Sequence, residues 1–134
     1  MVLSLTVGKV SGKRIETRYL HTALAWLHVS CGTSCHTGTA LGVGYGTGLR
    51  LRIGWDELTT KPSLQWAMVT STIGVAIKSP KWAGGVRVVP GDAAASVVLR
   101  LLGQRGAEQM PPIATRVVDE PGRAAVEAWI RALN

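Results

Sequence analysis

His28-Val-Ser-Cys31-Gly-Thr-Ser-Cys35-His36 holds the two cysteines of the chain, four residues apart, with a histidine directly after the second. Thiols and imidazoles this close admit three chemistries. The cysteines can close a disulfide, because residues four apart at a helix end come within bridging range of about 6 Å. They can join His28 and His36 around zinc, although ligands packed into so short a stretch fit poorly around one tetrahedron. Or they can attach a haem. In a Cys-x-x-Cys-His run each thiol forms a thioether to a vinyl group and the histidine ligates iron. The spacing in this chain is wider by one residue, Cys-x-x-x-Cys-His.

A second segment, Gln109-Met110-Pro111-Pro112, favours haem. A thioether sulfur opposite a histidine is the axial pair of electron-transfer haem proteins. Pro111 and Pro112 fix their own φ and restrict the residue before each, which predicts an extended segment at Met110 rather than a helix. Methionine is also a common filler of core gaps. A disulfide leaves His36, Met110 and the proline pair without a role, whereas haem uses them together.

On these residues the chain resembles a class I cytochrome c-like domain, of the kind found as a module in bacterial oxidoreductases and multidomain secreted proteins. The likeness rests on three segments: Arg14 to Val29 leading into the Cys/His motif, Arg87-Val88-Val89-Pro90-Gly91-Asp92 with Ser96 to Arg100, and Gln109 to Asp119 with Val126 to Ile130. It covers about half of the chain, and the stretch from Gly38 to Gly85 matches no pattern. The resemblance implies a mostly α fold with N- and C-terminal helices packed across each other and a long Gly-rich irregular middle. It further implies one covalent haem c on Cys31 and Cys35, His36 and Met110 as axial ligands, and one-electron transfer rather than catalysis. Family members often bond the second ring nitrogen of the histidine to a carbonyl near a proline; no proline follows His36 closely here. For the haem propionates the nearest donors are Arg50, Arg52, Trp66 and Trp82.

At 134 residues the chain has the length of one domain with its own core. Five tryptophans and no phenylalanine supply its large aromatic surface, suited to walling a pocket or to filling a core. The net charge of +7 suits an anionic partner, and an acidic redox protein or neighbouring domain is the expected one. Basic residues are spread along the chain without a dense run or a nucleic-acid fingerprint, so nucleic acid is not expected. No apolar run is long enough to span a bilayer. Cysteine-linked haem, like a disulfide, implies a periplasmic or extracellular setting. The stretch Met1 to Lys9 has no charged n-region, long apolar core or cleavage site. Either an export signal lies outside this sequence, or the domain belongs to a larger secreted protein, or the chain is cytosolic and carries no haem.

Residues 1–13 read as an extended lead-in with a turn at Ser11-Gly12. From Arg14, the residues Ile15, Tyr19, Ala23, Trp26, Leu27 and Ser30 recur at helical spacing, predicting a helix to about Ser30 that delivers Cys31 at its end. Gly42, Gly44, Gly46 and Gly48 alternate with other residues without the Gly-Lys-Ser/Thr of a phosphate loop, and read as a loop passing close to a bulky ligand. Short helical turns are expected from Trp55 and over Leu64 to Ser71, a β-branched stretch over Thr72 to Ile77, and a turn at Trp82 to Gly85. Asp92 is an N-cap for a helix ending at Gly103. Asp119 is an N-cap for a last helix with Ala125, Val126, Trp129, Ile130 and Leu133 on its apolar stripe. The eight acids form no pair for acid–base work, and no nucleophile motif is present. The remaining readings are a haemless disulfide-bonded interaction module of the same fold, and a haem site with a labile methionine acting as sensor or peroxidase-like centre.

Overall fold

The structure, a computed structural model, describes residues 17–133. The expected lead-in and the positions of Arg14, Ile15 and Glu16 lie outside them. Within them the chain is mostly helical, with five α-helices and no named strand: α1 (Thr17–Leu27), α2 (Trp55–Thr60), α3 (Ala67–Thr70), α4 (Val97–Leu102) and α5 (Glu120–Arg131). The N- and C-terminal helices of this set, α1 and α5, pack against each other, and α4 joins α5.

Helix α1 buries Leu20, Ala23, Leu24 and Leu27, a stripe at spacings of three and four. The stripe is rotated from the expected one. Tyr19 and Trp26 stand half-buried at its margins, where an amphipathic ring can keep its polar atom near solvent. Helix α5 contributes Val126, Trp129 and Ile130, all fully buried, and Leu133 follows them into the same core. Asp119 caps α5 as its position in the sequence predicts: Oδ1 accepts the Gly122 N–H at 2.9 Å. Pro121 in the first turn loses nothing by lacking an N–H.

Helix α4 is shorter than expected because its N-terminal approach is claimed by other contacts. Asp92 accepts the Ala95 N–H at 3.0 Å in a turn, and buried Ser96 accepts the Val89 N–H at 2.9 Å while donating to the Asp92 carbonyl at 2.7 Å. Only from Val97 does the helix run. The β-branched stretch after Thr72 pairs with residues 85–88 through single backbone bonds, Gly74 to Val88, Arg87 to Val75 and Ile77 to Gly85, each at 2.9 Å. Val97 and Val98 then donate to Val86 and Arg87 at 3.0 Å. These bonds bring Arg87 beneath the loop that follows His36. In α2, Glu57 is buried, and its carboxylate accepts backbone N–H groups from Gly54 at 3.2 Å and Ala67 at 2.7 Å. That one side chain fixes the chain's turn from α2 into α3.

Candidate functional site

Beyond Leu27 the helix widens. His28 to Gly32 form a π turn, in which the Thr33 N–H reaches back five residues to the His28 carbonyl at 3.0 Å. The Cys31 carbonyl accepts from both Cys35, at 3.3 Å, and His36, at 2.9 Å. A turn closed over five residues holds one residue more than an α-turn. The His36 to Cys31 bond is a second such closure and encloses the three residues between the cysteines, and Cys31, Cys35 and His36 all line one cavity. Sequence periodicity predicts the helix but not its widening.

The cavity holds about 390 Å3, within the range of small-molecule and cofactor sites. Its walls are predominantly apolar, with Leu27 and Leu51 beside the motif and Val97, Leu101 and Leu102 around α4. Met110 and the Pro111-Pro112 pair form another part of the same wall. Residues from 79 positions apart in sequence, Cys31 and Met110, thus share one apolar space. The Met110 segment is irregular, as the prolines predict. Its N–H donates to the Leu101 carbonyl at 3.1 Å, and the Met110–Pro111 peptide is cis. Gln109 braces the loop: its amide nitrogen donates to the carbonyls of Pro111 and Thr115 at 2.9 and 3.0 Å, and its oxygen accepts the Gly106 N–H at 2.9 Å.

The glycine-rich loop folds back over His36. Gly44 donates its N–H to the Cys35 carbonyl at 2.9 Å, and Leu51 donates to the His36 carbonyl at 2.8 Å. A Cβ on Gly44 would stand 2.5 Å from His36 Nδ1, so only glycine lets the loop close on the ring. Nδ1 is buried and has no hydrogen-bond partner among the described residues. Burial lowers the His36 pKa; the Leu49 backbone works against this and Arg87 with it. The ring is therefore held toward its neutral form, the form that ligates metals. Burial, and then the neighbouring Cys35, push the Cys31 thiol up to about 11. Both cysteines are free and half-buried.

One edge of the cavity is polar. Arg87 is buried, donating Nη1 to the Ser71 carbonyl at 2.6 Å and Nη2 to the Thr47 carbonyl. Among the described residues its guanidinium has no carboxylate in ion-pair contact. The Trp82 Nε1–H on the same cavity is also buried, without a partner among the described residues. Of the four propionate donors expected from sequence, Trp82 alone lines this space. Trp66 is spent on the carbonyls of Glu57 and Lys61 at 3.0 and 3.1 Å, Arg52 is exposed outside the cavity, and Arg50 faces a neighbouring one. Arg87 is the residue that sequence reasoning missed as a donor. Its signal is a lone cation inside the β-branched run Val86-Arg87-Val88-Val89.

His28 lies apart from the cysteine chemistry, its Nδ1 accepting the Ile53 N–H at 3.0 Å. Among the described residues no three of His, Cys, Asp and Glu gather as a metal site. No helix among them is long and apolar enough to cross a membrane. Neither a family model, nor a curated protein, nor a solved structure matches the chain.

Proposed function

We propose that this chain is a cytochrome c-like electron-transfer domain, binding one haem covalently through Cys31 and Cys35 with His36 and Met110 as axial ligands. The observation that carries the reading is the common apolar cavity of those four side chains. The donor set fits the group. Two free thiols, a ring held toward neutrality and a thioether border a mostly apolar space of about 390 Å3, with a buried guanidinium and an indole N–H at its edge.

Bound there, a haem would supply a one-electron iron couple. The protein does the rest. Cys31 and Cys35 would hold the group through thioethers, each thiol adding across a vinyl group with no leaving group. His36 offers an imidazole lone pair, and the loop through Gly44 holds its ring. Met110 offers sulfur from a segment braced by Gln109. Leu27, Leu51 and Leu101 make the wall apolar; Arg87 would offset the charge of a propionate, and Trp82 would donate a neutral hydrogen bond to one. Were His36 and Met110 both to ligate the haem iron, no position would remain for substrate, which would suit electron transfer rather than catalysis. Covalent attachment places it in the periplasm or outside the cell, and the charge of +7 suits an acidic redox partner.

The test is a pyridine haemochrome spectrum with intact-mass measurement, on protein exported from a host with c-type maturation machinery. A c-type band and a mass increased by one haem are expected. Colourless protein lighter than the reduced chain by two protons means a Cys31–Cys35 disulfide, and the reading falls in favour of an interaction module.

A further inference from the structure

A second cavity, of about 300 Å3, shares Leu49 and Lys78 with the first. Its character is different. Glycine backbone at 38, 46 and 48 forms much of the wall, and Tyr45, Arg50 and Lys78 supply the side-chain donors. Arg50 is anchored through its backbone, whose N–H donates to Ser71 Oγ at 3.0 Å and whose carbonyl accepts from that hydroxyl at 3.1 Å. Its side chain runs beside Gly38, where a Cβ would come within 3.2 Å of Cδ. The Lys78 ammonium lies 3.1 Å from the place of a Cβ on Gly48, and Arg87 Nη2 lies 3.7 Å from the same point. Gly38 and Gly48 have φ of 80° and 70°, a backbone conformation that disfavours a side chain at either.

Three cations therefore gather around the 46–50 turn. The ion pairs of the described residues lie elsewhere, between Lys81 and Glu108 and among Arg123, Arg131, Glu120 and Glu127. Among the described residues none of the three cations is in ion-pair contact with a carboxylate, so together they raise the potential in a concave wall, although Arg50 and Lys78 are solvent-exposed. Arginine offers a planar fork matched to phosphate or carboxylate oxygens, and lysine a point charge beside it.

We propose that this second cavity binds a small, multiply charged oxyanion, a phosphate or a polycarboxylate, held by Arg50 and Lys78 with the Tyr45 hydroxyl as a further donor. The site uses none of the four haem-directed side chains, so it stands whether or not haem is attached. A bound anion would also contact the wall shared with the first cavity, which Leu49 and Lys78 line from both sides, and would oppose the field of Arg87.

The experiment is a titration of the purified full chain with inorganic phosphate, and in parallel with citrate, at ionic strength held constant by sodium chloride. Amide shifts of Gly46, Gly48 and Arg50 and calorimetry provide the readouts. Saturable binding of at least one anion is expected, with Arg50→Gln and Lys78→Gln each weakening it roughly tenfold through loss of one charge-assisted bond. Arg100→Gln, which removes an exposed cation on α4, leaves it unchanged. Shifts that never saturate with either anion, or an equal weakening in Arg100→Gln, reduce the effect to overall charge and overturn the proposal. Colourless protein that still binds phosphate separates this site's success from failure of the haem reading.

Discussion

The indole of Trp26 lies against Gly122 and donates its Nε1–H to Asp119 at 2.9 Å. A residue of α1 thereby meets the first turn of α5 through its ring and through its one polar atom. A Cβ on Gly122 would overlap the indole at Cε2 and Nε1. Alanine normally stabilises a helix relative to glycine by about 1 kcal/mol. Here Gly122→Ala is expected to destabilise by about 1–3 kcal/mol, the usual cost of overpacking a core. Urea unfolding reads the sign: a stabilised variant would mean that the two helices are free to separate at this point.

Asp119 links the same contact to pH. The Gly122 backbone N–H, followed by the Trp26 side chain, holds its carboxyl below the usual carboxylate range. Because the folded group is the more acidic, its contribution is complete above the unfolded carboxylate pKa of about 3.9 and is lost as pH falls through the lower folded value. The group is solvent-exposed, so the effect is small and screened. Asp119→Asn is expected to lower Tm at neutral pH and to approach the unaltered protein in strong acid. Melting curves at matched pH values give the difference directly, and parallel curves down to the lowest pH would remove Asp119 from acid sensitivity. Glu127 has its own lowered carboxyl, owed first to Arg131, and stays common to both proteins.

Arg87 joins the β-branched bridges to the loop over His36. Its guanidinium serves the carbonyls of Ser71 and Thr47, while Thr47 Oγ1 donates to the Gly44 carbonyl at 2.6 Å. Replacing it by methionine keeps much of the volume and removes both donors. A loss of about 3 kcal/mol is expected, from two hydrogen bonds to a charged group at about 1.5 kcal/mol each. Amide exchange should quicken at Gly44 and Leu51, whose bonds hold the loop to Cys35 and His36. Unchanged protection there would show the loop to be held without Arg87.

What the sequence makes legible follows from how local each signal is. The Asp119 cap, Pro121 and the Val126-Trp129-Ile130 stripe are written within a dozen residues, and α5 forms as expected. Helix α1 is equally plain as a helix, yet its buried stripe is centred on Leu20 and Leu24, because tryptophan and tyrosine can serve a boundary as well as a core. Cys31, Cys35, His36 and Met110 are legible as chemistry, and the fold brings them to one cavity. Arg87 and Lys78 are not, since nothing near them in sequence announces that single bonds across 72–77 and 85–98 will turn them toward the Thr47–Leu49 turn. The widening at His28–Gly32 is hidden for the same reason: it is set by how the chain must close on Leu51, not by propensity. A Cβ on Gly32 would overlap the Leu51 carbonyl.

The charge of +7 sets an expectation for partner exchange. Reduction by an acidic redox protein should slow as salt rises, because screening shortens the reach of the basic surface to about 8 Å at physiological ionic strength. Stopped-flow rates measured from low to high salt test this. Rates independent of salt would assign docking to apolar contact instead, and would direct attention to Leu41, Val43 and Ile113, each strongly exposed.

Met110 is the sharpest test of the axial assignment. Its side chain lines the cavity from a loop that Gln109 braces and that prolines keep out of helical form, so truncation removes sulfur without breaking a helix. Methionine opposite histidine raises a haem potential relative to ligation without it, and axial ligands together move such potentials over about 0.8 V. Met110→Ala is expected to lower the midpoint by a sizeable part of that range and to admit cyanide or carbon monoxide. Redox titration and ligand-binding spectra on the haem-loaded protein check both. An unchanged midpoint with the weak sulfur-to-iron band intact would remove Met110 from the site while leaving Cys31, Cys35 and His36 in it.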